Sequence, residues 1–254
     1  MTIKPLYEGS YIIDSNKKFT PTNEPGKGIR GIKVAINPFL IQTNNDLLLI
    51  DTGLGFKNEQ GNLKIYENIQ NNGFSPNDIT KVLLTHLHYD HIGGTFSRNS
   101  NNKMEANFKN AKYYLQAKEL NKMLDSITKQ EHKELLIALR DHPNTVFLNN
   151  DGQINDNIEY KITGGHTEFH QIFIIQDFLE TIIAGGDVIP LDNQLNIKLV
   201  AKYDFDGDKS LEQRVHYANY LANINGICLF YHSEKVPIGR ISKNNNKFTI
   251  TNID

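Results

Sequence analysis

Apolar positions recur along this chain in two rhythms: short runs that predict strands, and longer stretches with apolar residues three and four apart that predict helices. Residues 11–13, 32–43 and 46–51 read as strands, the last two joined through Asn44 and Asn45 as a hairpin. A polar loop containing Lys, Pro, Thr and Gly follows the first run and could lie over the body of the fold. The run Leu47-Leu48-Leu49-Ile50 ends in Asp51-Thr52-Gly53, where glycine lets the backbone turn sharply. A helix is expected over 63–72, stopped by Gly73, before 79–85 returns as a buried strand. Residues 111–115 predict another strand. Between 116 and 140, Leu120, Met123, Leu124, Ile127, Leu135, Leu136 and Leu139 fall at helical spacing with a break near 126–129. That pattern fits two amphipathic helices, either packed on a sheet face or inserted over a substrate site. Further strands are expected at 145–148, 158–163, 170–176, 181–185, 196–199, 226–231, 236–241 and 247–252, with one helix over 211–223. Strands in both halves with helices covering them, and no linker between, predict a single α/β domain spanning 1–254.

Charge and composition narrow the partners. With 27 basic and 29 acidic residues, the chain has no net basic field to draw nucleic acid or an anionic membrane, which leaves a small molecule as the expected partner. No run approaches the roughly 20 apolar residues of a membrane span, and the start lacks the apolar core of a secretory signal, so the expected compartment is the cytoplasm. Cys228, the one cysteine, lies in the apolar run 227–230 and reads as a small buried hydrophobe. Nothing in the pattern speaks to oligomeric state.

Candidate chemistry is concentrated in Thr85-His86-Leu87-His88-Tyr89-Asp90-His91, directly after the strand at 79–85. Imidazole is the commonest protein ligand for divalent transition metals, and a carboxylate among histidines adds an oxygen donor. His86 and His88 stand two apart, so both rings can face one side of an extended segment, while Asp90 and His91 can serve a neighbouring centre from the following turn. Three later β runs also end in metal-competent residues: 158–163 leads to His166, 181–184 to Asp187, and 227–231 to His232. If those strands lie side by side, their ends share a rim with the first cluster. His132, His142, His170 and His216 lie outside this pattern and read as surface or core residues, with Glu168 and His170 close to His166 in sequence.

These residues resemble the metallo-β-lactamase superfamily. The string His86-Leu87-His88-Tyr89-Asp90-His91 matches its signature, His166, Asp187 and His232 follow in its order, and the Asp51-Thr52-Gly53 turn also fits. The resemblance, covering roughly 30–235, implies an αββα four-layer sandwich with a two-metal site at one edge of the sheets. It implies that His86, His88 and His166 hold one ion, that Asp90, His91 and His232 hold the other, and that Asp187 bridges them. A nitrogen and oxygen set without thiolate suits zinc, with iron, manganese and cobalt able to occupy the same donors. Such a pair would hold a hydroxide at neutral pH, and Asp90 would pass its proton to the leaving group, so that an ester, lactone or similar small-molecule bond is cleaved. Thioester hydrolysis of the glyoxalase II kind and phosphoester hydrolysis are alternatives on the same site. A di-iron redox protein is the non-hydrolytic alternative, although members of that kind carry Glu where this chain has His88. The region after Asp187 is similar to a group of small bacterial lactonase-like and organophosphate hydrolase-like proteins. Lactonases of that group place a tyrosine three residues after the bridging aspartate, where this chain has Pro190; Tyr203 and Tyr231 are the phenols that could stand in for it.

Overall fold

The computed structural model describes residues 1–14, 16, 18–22, 30–245 and 247–253. Of the loop expected after the first strand, residues 15, 17 and 23–29 lie outside the described residues. One sheet has six strands in the spatial order Thr2–Pro5, Phe39–Gln42, Leu47–Ile50, Lys81–Leu83, Lys112–Gln116 and Thr145–Leu148. Its first three strands are antiparallel, and from Leu47–Ile50 onward the neighbours run parallel. Parallel neighbours need crossovers, and helices supply two of them: α1, Lys64–Asn71, precedes Lys81–Leu83, and a helical pair precedes Thr145–Leu148.

The second sheet has seven strands in chain order: Gly152–Asn155, Ile158–Ile162, Gln171–Gln176, Thr181–Ala184, Ile227–Leu229, Ile238–Asn244 and Lys247–Asn252. Its one parallel step, from Thr181–Ala184 to Ile227–Leu229, contains the long helix Gly207–Ile224. A small sheet, Phe19–Pro21, Gly9–Ile13 and Ile32–Ile36, and a hairpin, Phe96–Arg98 with Met104–Ala106, complete the strands among the described residues.

The two-residue rhythm of the strands sorts their side chains into layers. Leu47 and Leu49 join the core under the helices, while Leu48 and Ile50 join the core between the sheets. There they meet Phe173, Ile175, Ile182 and Leu229 of the second sheet. Ile183, Cys228 and Phe230 point the other way, against Tyr217, Ala218 and Leu221 of the long helix. Helix, sheet, sheet and helix therefore stack as an αββα sandwich. Both faces of each sheet are covered, so truncating an interior leucine such as Leu48 would cost about 2–5 kcal/mol. No helix among the described residues is long and apolar enough to cross a membrane.

Two expected strands come out differently. The run 32–43 is split at Asn37 and Pro38 into Ile32–Ile36 and Phe39–Gln42, which belong to different sheets. Pro38 has no N–H for a ladder, and the Asn37 amide turns away to donate to the carbonyls of Tyr231 and Ser233. Residues 196–199 are not a strand: a 3₁₀ turn, Asp192–Asn196, is followed by an irregular segment whose Ile197 and Leu199 are exposed. The Leu199 carbonyl is taken instead by the Arg214 guanidinium, at 2.7 Å. The hairpin about Asn44 and Asn45 is present, and the stretch 116–140 forms two helices, Ala117–Ser126 and Gln130–Asp141.

The C-terminal ends of Leu47–Ile50, Lys81–Leu83, Thr181–Ala184 and Ile227–Leu229 all open onto one edge, the usual place for a site in a sheet with parallel strands. Glu8 is buried beside that rim, where its Oε2 accepts the Leu54 N–H at 2.9 Å and its Oε1 has no hydrogen-bond partner. Burial pushes the Glu8 carboxyl up to about 8, with the Leu54 N–H and Lys64 opposing. An unfolded glutamate titrates near ~4.3, so the folded state holds this proton more tightly. The resulting stabilisation is fully present below the unfolded pKa and is lost as pH rises towards 8. Thermal melts of wild type and Glu8→Gln should therefore diverge between pH 5 and pH 8, with only the wild type losing this contribution; superimposable pH profiles would refute it.

Candidate metal centre

The strand Lys81–Leu83 runs into a loop that becomes the short helix Tyr89–Ile92, with His88 as its extended N-cap. Leu87, fully buried, points into the core and leaves His86 and His88 on either side of it facing the rim. The first turn of the helix adds Asp90 and His91. His166 sits in the loop between Ile158–Ile162 and Gln171–Gln176, where Gly165 has φ of 85° and comes so close to the Ser210 backbone that a Cβ would meet it at 2.6 Å. Asp187 lies in the 3₁₀ turn Gly186–Val188, and His232 follows Ile227–Leu229. Gly186 adopts φ of 47°, and a Cβ there would stand 2.7 Å from both His170 Nε2 and Thr85 Oγ1.

All seven sequence-predicted residues come together at this rim, in two groups. His86, His88, His166 and Asp187 form one, and Asp90, His91 and His232 the other, with the donor atoms of each group within 4.8 Å of one another. His86 Nε2 and His166 Nε2 both approach His88 Nδ1 to 2.9 Å. Asp187 faces both groups. Its Oδ2 is 3.2 Å from His166 Nε2, while its Oδ1 is 3.2 Å from His91 Nε2 and 3.0 Å from His232 Nε2. Asp90 Oδ2 lies 3.8 Å from His91 Nε2 and 3.7 Å from His232 Nε2.

Partners behind the rings fix their tautomers. His91 Nδ1 is 2.8 Å from Asp51 Oδ2, His166 Nδ1 is 2.8 Å from Asp204 Oδ1, and His232 Nδ1 is 2.8 Å from the Ala35 carbonyl. None of these partners can donate, so each ring donates through Nδ1 and turns its Nε2 to the site. Asp51, with φ of 53°, is itself held by the Thr85 N–H and the Thr85 hydroxyl, both at 2.8 Å. Tyr231 stacks on His91 at 4.0 Å between ring centroids and donates to the Asp90 carbonyl. Tyr203 is half exposed at the rim, its ring 5.8 Å from His166.

Several supports carried no signal in the sequence pattern. His170 is fully buried: its Nε2 accepts the Asp187 N–H at 3.2 Å while its Nδ1 meets Thr163 Oγ1 at 2.8 Å. Burial, reinforced by His166, keeps the His170 pKa well below the ordinary value, which suits an acceptor. Arg214 donates to the carbonyls of Val188 and Leu199 and so ties down the segment between Asp187 and Asp204. Asp204 itself lies 38 residues from His166, and no local spacing links them.

The electrostatics favour cations. Burial opposes charge on His91, yet Asp187, Asp51 and Asp90 lift its pKa well above the ordinary range. Burial likewise opposes charge on Asp187, but His232, His166 and His91 hold it well below the carboxylate range. Around His88 Nδ1, three ring nitrogen atoms crowd one another, with the Nε2 atoms of His86 and His166 each at 2.9 Å. His91 Nε2 and Asp187 Oδ1, though close, make no hydrogen bond and are buried without a partner. Unpartnered buried polar atoms cost about 1–3 kcal/mol each, and opposed lone pairs add to that. Divalent cations at the two points of convergence would remove both costs, because neutral imidazole and carboxylate are the donors such ions take. The residues present therefore fit a pair of divalent ions.

Fold and site together define a metal-dependent hydrolase with a dinuclear centre. The family model of the metallo-beta-lactamase superfamily matches residues 31–223, and the chain belongs to that superfamily. AiiA, an N-acyl homoserine lactonase of Bacillus thuringiensis subsp. kurstaki, is 24% identical over 215 residues, 76% of each chain. A probable metal-dependent hydrolase from Staphylococcus aureus superposes with a TM-score of 0.78 at 22% identity, over 99% of this chain and 97% of that one. AidC, a dizinc quorum-quenching lactonase, superposes with a TM-score of 0.72 at 22% identity, over 88% and 81%. These structural likenesses establish the shared fold.

The Asp51 contact generates a direct test. Asp51→Asn removes the charge behind His91 and should weaken metal binding by about 10–100-fold, measured by competition with a chelator. Unchanged affinity would mean that the carboxylate only shapes the loop.

Proposed function

We propose that this chain hydrolyses a lactone or a related small-molecule ester, with two zinc ions as the resident pair. In this reading His86, His88 and His166 hold the first ion, Asp90, His91 and His232 the second, and Asp187 both. The observation that carries it is the division of Asp187 between the two histidine groups, Oδ1 to one and Oδ2 to the other. When bound, such a pair supplies water activated at neutral pH and a positive centre that polarises the scissile carbonyl. Asp90 Oδ2, close to both His91 and His232, accepts the proton of the attacking water and returns it to the leaving oxygen. Asp187, buried and tied through its N–H to His170, keeps the two groups in register. The lactone class is supported by the relatives named as lactonases, and Pro190 marks a departure from them in the segment after Asp187.

The test is a panel of lactone, ester, thioester and phosphotriester substrates with metal analysis on the same preparation. Lactone or ester turnover should exceed the rest, vanish on chelation and return with zinc. Asp90→Asn should lower kcat by about 10²–10⁴-fold while keeping most of the metal. Full turnover by Asp90→Asn, or by metal-free protein, would overturn the mechanism, and a clear preference for phosphotriesters would overturn the substrate class.

A further inference from the structure

The residue between the first two histidines is gripped from three sides. The Leu87 side chain is fully buried among Leu120, Leu135 and Leu136 of the two helices Ala117–Ser126 and Gln130–Asp141. Its carbonyl lies 2.8 Å from His132 Nε2 on the second helix, and a carbonyl can only accept, so His132 donates there. Its N–H faces the carboxyl of Glu119 on the first helix. Burial raises the Glu119 pKa, while the Thr167 hydroxyl, the N–H groups of Phe169 and Leu87 and the His166 ring work against that rise. The carboxyl is 1% exposed, and its Oε1 is buried without a hydrogen-bond partner. Glu119 Oε2 accepts the Phe169 N–H at 3.2 Å, three residues past His166.

The peptide units on either side of Leu87 set the directions in which His86 and His88 leave the backbone. A glutamate and a histidine on the two helices thus bear on where the rings converge. We propose that the helical pair is a positioning clamp for the three-histidine group: Glu119 couples the 86–88 loop to the 166–169 loop, His132 fixes the Leu87 carbonyl, and together they set the metal affinity of that group alone. Asp90, His91 and His232 are held by other partners, Asp51, Tyr231 and the Ala35 carbonyl. Both helix residues act on loop backbone, at the Leu87 carbonyl and the Phe169 N–H, so both are positioning residues. The proposal rests on the assignment of His86, His88 and His166 as ligands to one ion.

The experiment titrates zinc into chelator-stripped protein against a chromophoric competitor, and cobalt(II) into the same samples while following visible absorption. Wild type should show two sites. Glu119→Gln and His132→Gln should each weaken one of them by about 10–100-fold, perturb one cobalt spectrum, and leave the other site at wild-type affinity. Leu139→Ala, which opens the buried face of the second helix beyond His132, should lower the melting temperature and leave both affinities unchanged. Variants that keep both affinities, lose both equally, or match Leu139→Ala would overturn the clamp. A variant that fails to fold is replaced by Glu119→Asp or His132→Asn, which shorten the same contacts and carry the same expectation. Wild type that takes up no zinc would overturn the ligand assignment itself, whereas a two-zinc wild type with unaltered variants would overturn only the clamp.

Discussion

Ionisable groups buried side by side at one rim are the constraint on which this structure turns. Five imidazoles and two carboxylates meet at one rim, and three of the seven residues, His86, His91 and His166, are under 4% exposed. Left as neutral groups they would oppose one another; left charged they would have to leave water without compensation. The protein holds the arrangement from behind, through Asp51, Asp204 and the Ala35 carbonyl, each of which pins a proton on the outer nitrogen of a ring. A ligand set organised this way is expensive to fold and ready to bind, and binding energy then returns as stability.

The sandwich is what makes such an arrangement affordable. The ligands come from loops that follow strands in both sheets, so their convergence depends on how the two sheets are locked at this edge. A buried polar bridge does part of that: Gln171 Nε2 donates to the Leu84 carbonyl, its Oε1 accepts from Gln116, and its N–H donates to the Thr85 carbonyl. Asn37 and the Ala35 N–H add a second bridge to the segment carrying Tyr231 and His232. Apolar packing between the sheets sets their spacing, and these directional contacts set their register where the chemistry lies.

Much of this was legible from the order of residues. The strand runs, the break between the two helices at 126–129 and the clustering of metal-competent residues at strand ends all follow from local periodicity and chemistry, which sequence displays directly. What local pattern could not display was the support behind the ligands. Asp204, Glu119, His132 and His170 act across 38, 50, 45 and 17 residues respectively, on His166, Phe169, Leu87 and Asp187. Nothing in the neighbourhood of His132 or His170 separates a buried support from an ordinary core histidine. The misread strand at 196–199 has a related cause: its apolar residues satisfied a β pattern, but no neighbouring strand received them, and a buried arginine took the Leu199 carbonyl instead.

The two halves of the centre are held by different physics. Asp90, His91 and His232 gather three carboxylates, since Asp51 and Asp187 both contact His91, and a cation there would be retained chiefly by charge. Charge acts over distance and tolerates small displacements of the rings. The three-histidine half has Asp187 and, behind His166, Asp204, but its donors are mainly neutral nitrogen atoms whose value depends on direction. Directional donors need a stiffer frame, and the backbone between His86 and His88 is where that frame is supplied, by a buried leucine flanked by polar contacts from two helices. The layer that closes one side of the sandwich is thereby also part of the metal centre.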